Sequence, residues 1–214
     1  GFLANHPNVV LELKSKTADL TWMESDPDPK TVLPSWSLNA PVIVAAQERD
    51  TAPLEARLSA ARACAQAGFR VCLHFDPICW FEGWEREYAA TVDMIFDFLA
   101  PDDIAYISLG SFRCLPELPG RLIAEGRELP RYMLGEFTIG PDGKTRLLRP
   151  LRVRQLRFMA RRLAGHGFSR GLYCCMESDE VWRAALGQAP RDLGGLAAHL
   201  LARAHNPGGT RPCS

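Results

Sequence analysis

The sequence predicts an α/β domain built on a parallel sheet, and three observations lead to that prediction. Short apolar runs typical of strands alternate with longer segments of helical periodicity. Polar residues follow several of the predicted strands, where the carboxyl ends of parallel strands would meet at one edge. The strands are too few to close an eight-stranded barrel. We therefore expect a single partial (β/α) barrel over residues 1–204.

Each element has a local signal. Alternating or continuous apolar residues predict strands at 9–13, 35–39, 69–75, 103–109 and 172–176. Pro77 is expected to end the third strand because proline has no backbone N–H to donate. Apolar residues at helical spacing, together with Thr51 as a predicted N-cap and Gly68 as a predicted C-cap, indicate helices at 51–67, 85–99, 115–126, 150–166 and 178–204, the last broken near Pro190.

Two segments depart from this alternation. The turn signal Gly140-Pro141-Asp142-Gly143 predicts a β-hairpin insertion near 132–149. Residues 205–214 are rich in glycine and proline and are expected to form a flexible tail.

Composition restricts the class of protein. The 214 residues are 47% hydrophobic and 23% charged, and no apolar run approaches the roughly 20 residues of a membrane span. We therefore expect no membrane partner. An odd number of cysteines without a Cys-x-x-Cys pair indicates free thiols in a reducing cytoplasm, and no metal site is assigned to them. They are Cys64, Cys72, Cys79, Cys114, Cys174, Cys175 and Cys213.

His74 and Asp76 are the most prominent candidate functional residues. They end the predicted strand Val71–Phe75, and polar side chains at the carboxyl end of a barrel strand face the mouth of the active site. The alternative is a core histidine and an aspartate that caps the next turn. Spacing alone leaves both interpretations open.

The net charge of zero conceals a basic run from Lys144 to Arg170. It contains nine lysines or arginines and no acidic residue. Such a run is typical of a phosphate-contacting surface, whereas a solvated helix face paired with acidic neighbours is the alternative.

Several motifs, taken in order, resemble the spore photoproduct lyase family of radical S-adenosylmethionine (SAM) enzymes. Each motif is weak alone, and their order and spacing over about residues 5–190 are specific. The motifs are Leu13-Lys14-Ser15-Lys16-Thr17, Trp36-Ser37-Leu38-Asn39-Ala40, Glu48 with Thr51, Glu55-Ala56-Arg57, His74-Phe75-Asp76-Pro77-Ile78, Glu82-Gly83-Trp84-Glu85, Ile107-Ser108-Leu109-Gly110, Gly135-Glu136-Phe137, Gly140-Pro141-Asp142-Gly143-Lys144 and Cys175-Met176-Glu177-Ser178.

The resemblance implies a partial barrel of radical SAM type that holds a [4Fe–4S] cluster and SAM. It also implies that the N-terminal strands of this barrel are missing from the sequence. In the family, a 5′-deoxyadenosyl radical starts the reversal of a thymine dimer lesion in DNA. An external electron donor such as a flavodoxin or ferredoxin is also implied. The family's three-cysteine cluster loop has no counterpart here, so we expect its ligands upstream of Gly1 and expect this chain alone to be inactive.

The resemblance also suggests roles for individual residues, although it assigns no catalytic residue. Lys16 matches a family lysine near SAM. Ser37 and Asn39 are expected to hydrogen-bond the cofactor, or else to serve turn chemistry. Glu48 is expected to bind a ribose hydroxyl or to form a surface ion pair.

On the substrate side, His74 and Asp76 are expected to line the cavity. Trp84 is expected to stack on a base, with core packing as its alternative. The hairpin residues Lys144, Arg146 and Arg149 are expected to contact DNA phosphates.

Three functions remain open on the sequence. The first is a radical SAM DNA-lesion lyase. The second is a radical SAM enzyme of the same family with another substrate. The third is a non-catalytic nucleic-acid-binding module.

Overall fold

The computed structural model describes residue 6 and residues 8–205. Within them the chain forms eight strands: β1 (Leu11–Ser15), β2 (Val32–Ser37), β3 (Val71–Ile78), β4 (Ile104–Ser111), β5 (Arg113–Cys114), β6 (Phe137–Ile139), β7 (Thr145–Leu147) and β8 (Leu172–Cys174). The α-helices are α1 (Pro41–Gln47), α2 (Leu54–Gln66), α3 (Trp84–Phe98), α4 (Leu118–Ala124), α5 (Arg149–Gly165), α6 (Asp179–Leu186) and α7 (Leu196–His205). The predicted tail lies, apart from its first residue, outside the described residues.

Five strands form a parallel sheet in the order β1-β2-β3-β4-β8. Helices α1 and α2 connect β2 to β3, and α3 connects β3 to β4. The predicted α/β fold with a parallel sheet is therefore confirmed.

One face of this sheet, the helix-covered face, carries the main apolar core. Helices α2, α3 and α5 pack against it and against one another. Its buried residues include Leu58 from α2, Ile95 from α3 and Met159 from α5, which join Leu73 and Leu109 from the central strands. Burial of these side chains, at about 1.5–3 kcal/mol each, is the main source of stability.

The opposite face is different, because the side chains that alternate with the core residues are largely polar. Its apolar part is a small cluster around Leu33, Cys72 and Ala105, on which α7 places Ala204. We call the side of the sheet that bears this cluster the polar face.

Pro77 does not end β3 as predicted, since the strand continues to Ile78. The pairing of β3 with β4 is irregular between Phe75 and Ile78, so the missing N–H of Pro77 falls where the ladder is already interrupted. The prolongation carries Asp76 beyond the regular part of the sheet.

Two helix starts also differ from the prediction. Pro41 opens α1, a helix that the sequence did not indicate, because proline is tolerated in the first turn. Helix α2 begins at Leu54 after Pro53, and Thr51 is not its N-cap. The Thr51 hydroxyl instead accepts a hydrogen bond from Arg57 at 2.8 Å.

The predicted hairpin is present as β6 and β7, with β5 completing a small antiparallel sheet in the order β5-β7-β6. The beginning of the predicted insertion is not a strand, because Arg131–Met133 form a short 3₁₀ helix. None of the helices in the described part of the chain is long and apolar enough to cross a membrane.

Candidate functional site

A row of polar side chains crosses the polar face near the carboxyl ends of the strands. Ser37 in β2 pairs in register with His74 in β3, which pairs with Ser108 in β4, which pairs with Tyr173 in β8. The register alone therefore places four polar residues from four strands side by side. In parallel α/β folds this edge is where ligands bind.

His74 lies at the centre of the row and contacts two carboxylates. Its Nε2 is 2.5 Å from Oε1 of Glu12, and its Nδ1 is 3.4 Å from Oδ2 of Asp76. The Tyr106 hydroxyl donates to the second oxygen of Glu12 at 2.8 Å. His74 is buried, but it belongs to a charged cluster and not to the apolar core.

The electrostatics of this cluster favour a charged pair. Burial would lower the pKa of His74, but the hydrogen bonds to Asp76 and Glu12 outweigh burial and raise it. Burial would raise the pKa of Glu12, but the hydrogen bond and charge of His74 outweigh it and lower that pKa to about 2. Both shifts favour the charged forms, an imidazolium at His74 and a carboxylate at Glu12.

Asp76 links the row to a cavity. The Ser108 hydroxyl donates to its Oδ2, and its Oδ1 is buried without a hydrogen-bond partner among the described residues. A cavity of about 230 Å³ adjoins Asp76; Gly110, Cys175, Arg113 and Lys144 also line it. Whether this cavity takes a substrate stays a prediction.

Lys16 and Glu48, each of which is predicted to contact the cofactor, form an ion pair with each other. Lys16 Nζ donates to Glu48 Oε1 at 2.7 Å. Arg57 donates to Glu48 Oε2 at 2.5 Å and to the carbonyl oxygen of Ser37 at 2.8 Å. Glu48 thus forms a part-buried pair and not a surface pair.

Arg57 was not among the predicted site residues. The sequence did contain a signal that Arg57 is buried. Arg57 lies three residues after Leu54, which places both side chains on the apolar face of the predicted helix. A charged residue on a buried stripe requires buried partners, and it has them here.

Asn39 is built into the fold, contrary to the cofactor-binding prediction. Its Nδ2 donates to the carbonyl of Pro77 at 3.1 Å, and its Oδ1 accepts from the Ala40 N–H at 2.9 Å and the Tyr88 hydroxyl at 2.5 Å. Both lone pairs of the amide oxygen are therefore used inside the protein. This is the turn chemistry that stood as the alternative.

Trp84 lies in the core and not on the surface where base stacking would need it. It is 4% exposed, and its ring packs against Phe158 and Tyr88. Trp80 covers it with ring centroids 5.1 Å apart, and the Arg154 guanidinium lies 5.4 Å from the Trp80 ring. Trp80 is the more exposed tryptophan of the two.

The basic run is not a uniform anion-binding face. Four of its nine members pair with carboxylates that lie outside the run: Arg146 with Asp142, Arg152 with Glu177, Arg154 with Glu85 and Arg162 with Asp93. Arg146 is only 8% exposed, which leaves little of its guanidinium for a phosphate. Lys144 lines the 230 Å³ cavity, and Arg149 lines a neighbouring cavity of about 500 Å³.

Five of the cysteines in the described part of the chain are buried free thiols, and Cys175 is half-buried. Burial raises the pKa of Cys64 to about 11 and that of Cys79 to about 12, which keeps both protonated. In the described part of the chain, no three His, Cys, Asp or Glu side chains form a group that could hold a metal ion.

The fold and site define a class: an α/β domain whose parallel sheet carries a cluster of charged side chains near its carboxyl edge. Residues 6–110, just under half of the chain, match the sequence model of the spore photoproduct lyase family. Over that range the chain is similar to this family, as its motifs indicated. No curated protein sequence matches it.

Solved structures of spore photoproduct lyase share the fold. A complex with dinucleoside spore photoproduct has 22% sequence identity and a TM-score of 0.61. A mutant with bound AdoMet and dinucleoside spore photoproduct has 20% sequence identity and a TM-score of 0.61. A further mutant has 20% sequence identity and a TM-score of 0.64. Each match covers 77% of this chain and 50% of the other, so the match spans about half of the relatives' length.

Proposed function

We propose that this chain is the SAM-binding and lesion-binding part of a radical SAM DNA-lesion lyase resembling spore photoproduct lyase. The observation that carries the proposal is the row Ser37–His74–Ser108–Tyr173 on the polar face of a sheet with this family's fold. When bound, the [4Fe–4S] cluster and SAM would supply the 5′-deoxyadenosyl radical that starts lesion reversal. The residues of this chain would bind and orient SAM and the lesion, and would exclude water from the radical.

The sheet is proposed to be part of a partial (β/α) barrel. Parallel sheets are normally covered on both faces, whereas here α2, α3 and α5 all pack on one face. Charged groups such as Glu12 and His74 on the other face suit a ligand-lined barrel interior.

Lys16, Ser37 and Glu48 are the residues proposed to hold SAM. The Lys16 side chain is 41% exposed, so its ammonium is accessible to the carboxylate of the methionine moiety. The Glu48 carboxylate can accept hydrogen bonds from ribose hydroxyls. Asn39 is not included, because its amide oxygen is fully used. The cluster ligands are proposed to lie outside the described residues, since these offer no group for a metal.

His74 and Asp76 are proposed to line the lesion pocket. Each ring nitrogen of His74 faces a carboxylate, so the imidazolium fixes both carboxylates and does not serve as a free base. Asp76 and Lys144 on the adjoining cavity offer an acceptor and a donor for the polar edges of an extruded pyrimidine lesion.

The activity test uses the complete protein after anaerobic cluster reconstitution, with SAM, a reductant or flavodoxin, and a dinucleotide spore photoproduct. We expect loss of the lesion, and we expect His74→Ala to abolish it while the circular dichroism spectrum stays unchanged. Unchanged turnover in His74→Ala would make His74 a structural residue only. DNA binding without turnover in the complete protein would favour the nucleic-acid-binding module.

Duplex DNA is the proposed partner of the hairpin region, with Lys144 and Arg149 as phosphate contacts. Binding should weaken steeply as salt rises, and Arg149→Gln should reduce the slope of log K against log salt by about one. Arg162→Gln is the matched control, because Arg162 pairs with Asp93 and should leave the slope unchanged. An affinity that is independent of salt would contradict DNA binding.

A flavodoxin or ferredoxin partner and a cytoplasmic location are part of the same proposal.

A further inference from the structure

Arg57 is a fully buried arginine whose guanidinium donates hydrogen bonds to four acceptors near the carboxyl end of β2. Its Nε donates to the carbonyl of Ala52 and its Nη1 to the carbonyl of Ser37, each at 2.8 Å. Its Nη2 donates to Glu48 at 2.5 Å and to the Thr51 hydroxyl at 2.8 Å. One side chain thus joins the end of β2 to the segment between α1 and α2.

Glu48 lies between this arginine and Lys16, and the three side chains differ in exposure. Arg57 is 0% exposed, Glu48 is 7% exposed and Lys16 is 41% exposed. Burial would raise the pKa of Glu48, but the hydrogen bonds and charges of Lys16 and Arg57 outweigh burial and lower it. The carboxylate is therefore ionised and held by a cation that has no access to solvent.

The charges of the cluster do not cancel. Two cations share one carboxylate, and the buried Arg57 alone can compensate Glu48. The Lys16 ammonium is then a surplus positive charge that is partly exposed to solvent. It can change partner without leaving Glu48 as an uncompensated buried charge.

We propose that Arg57 is a positioning residue for SAM. It fixes and neutralises Glu48, so that Lys16 can exchange the Glu48 carboxylate for the carboxylate of the ligand while Glu48 stays in place for the ribose. The inference rests on the proposed function and adds to it a residue that touches no ligand. A guanidinium suits this task because its planar fork holds several oxygens in one geometry.

The test is a double-mutant cycle on SAM affinity, measured by equilibrium dialysis with the complete protein. Arg57→Lys should weaken SAM binding about ten- to a hundredfold, because it loses hydrogen bonds to a charged group. In a Glu48→Gln background, Arg57→Lys should reduce SAM affinity far less, since Arg57 acts through Glu48. Arg62→Lys on the exposed side of α2 is the matched control and should bind SAM as the wild type does.

A second measurement distinguishes an effect of Arg57 on SAM binding through Glu48 from a purely structural role of Arg57. Without the guanidinium, the pKa of Glu48 should rise, so SAM binding by Arg57→Lys should become dependent on pH in the range where a carboxylate titrates. If Arg57→Lys does not fold, Thr51→Val replaces it. That variant removes one acceptor of the guanidinium, and Thr51→Ser should restore the affinity.

The outcomes are distinguishable. Absence of SAM binding by the wild type would overturn the proposed function together with this inference. SAM binding by the wild type with equal affinity in Arg57→Lys, or fully additive losses in the cycle, would overturn the inference alone.

Discussion

At the scale of single residues, the environment of His74 decides its chemistry. Glu12 is 62 residues away in the chain and Asp76 only two, yet both carboxylates flank the same imidazole. The pair Glu12–His74 stabilises the fold only while both groups are charged.

This pair predicts a pH dependence of stability. The pKa of Glu12 is lowered to about 2, so its contribution is present above its usual pKa of 4.5 and lost as pH falls towards 2. The pKa of His74 is raised, so its contribution is present below 6.5 and lost as pH rises through the raised value. Urea unfolding should therefore show the largest cost of Glu12→Gln between pH 4.5 and 6.5.

The matched control for that experiment is Glu24→Gln, at an exposed position away from His74. Its cost should not depend on pH in the same window. In Glu12→Gln, the His74 pKa measured by NMR should fall. A His74 pKa that stays unchanged would show that Glu12 does not hold the imidazolium.

Gly110 predicts a second effect at residue scale. A Cβ at this position would lie 2.1 Å from Asp76 Oδ1, closer than atoms can approach. Gly110→Ala should therefore displace the Asp76 carboxylate and cost about 1–3 kcal/mol in urea unfolding. Gly120→Ala in α4 has nothing within 4 Å of its Cβ and should be neutral or stabilising. Equal stability of the two variants would contradict this account of Gly110.

At the scale of elements, the hairpin of β6 and β7 depends on one carboxylate. Asp142 in its turn accepts hydrogen bonds from Arg113 of β5 at 2.8 Å and from Arg146 of β7. The three-stranded sheet is small, so these ion pairs contribute a large share of its order.

Asp142→Ala should loosen the hairpin while the parallel sheet stays intact. We expect hydrogen exchange over residues 137–147 to become several times faster, with little change over β3 and β4, because local opening requires only local contacts to break. Glu128→Ala, at an exposed position before the hairpin, is the control. Unchanged exchange in Asp142→Ala would show that β-sheet pairing alone orders the hairpin.

At the scale of the whole molecule, the two faces of the parallel sheet have different roles. The helix-covered face holds the apolar core, and the polar face holds the Glu12–His74 pair and the hydroxyl groups of the polar row. Stability and ligand binding are thus divided between alternate residues of the same strands.

Substitutions on the two faces of the adjacent strands β4 and β8 test this division. Leu109→Ala on the helix-covered face should cost about 2–5 kcal/mol, because it leaves a cavity in the core. Tyr173→Phe on the polar face should cost no more than about 1.5 kcal/mol, because it removes only a hydroxyl. Urea denaturation of both variants measures the difference, and equal costs would refute the division.

The sequence by itself determined the elements that rest on local signals. Hydrophobic periodicity located the five parallel strands and the long helices, and Gly140-Pro141-Asp142-Gly143 located the hairpin. The end of a predicted strand singled out His74 and Asp76, and the family resemblance singled out Lys16 and Glu48; their roles in ligand binding stay predictions. Those signals suffice because they depend on residues within a few positions of one another.

Only the tertiary structure decided what each polar group binds. Asn39 is held by Tyr88, Arg57 holds Glu48, and carboxylates from distant segments pair with the arginines of the basic run. A hydrogen bond or ion pair depends on distances of a few angstroms between atoms that are up to 69 residues apart in these pairs, and linear spacing carries no such distances. The sequence therefore indicated which residues are polar and near the site, and the packing of the chain selected which of them remain available to a ligand.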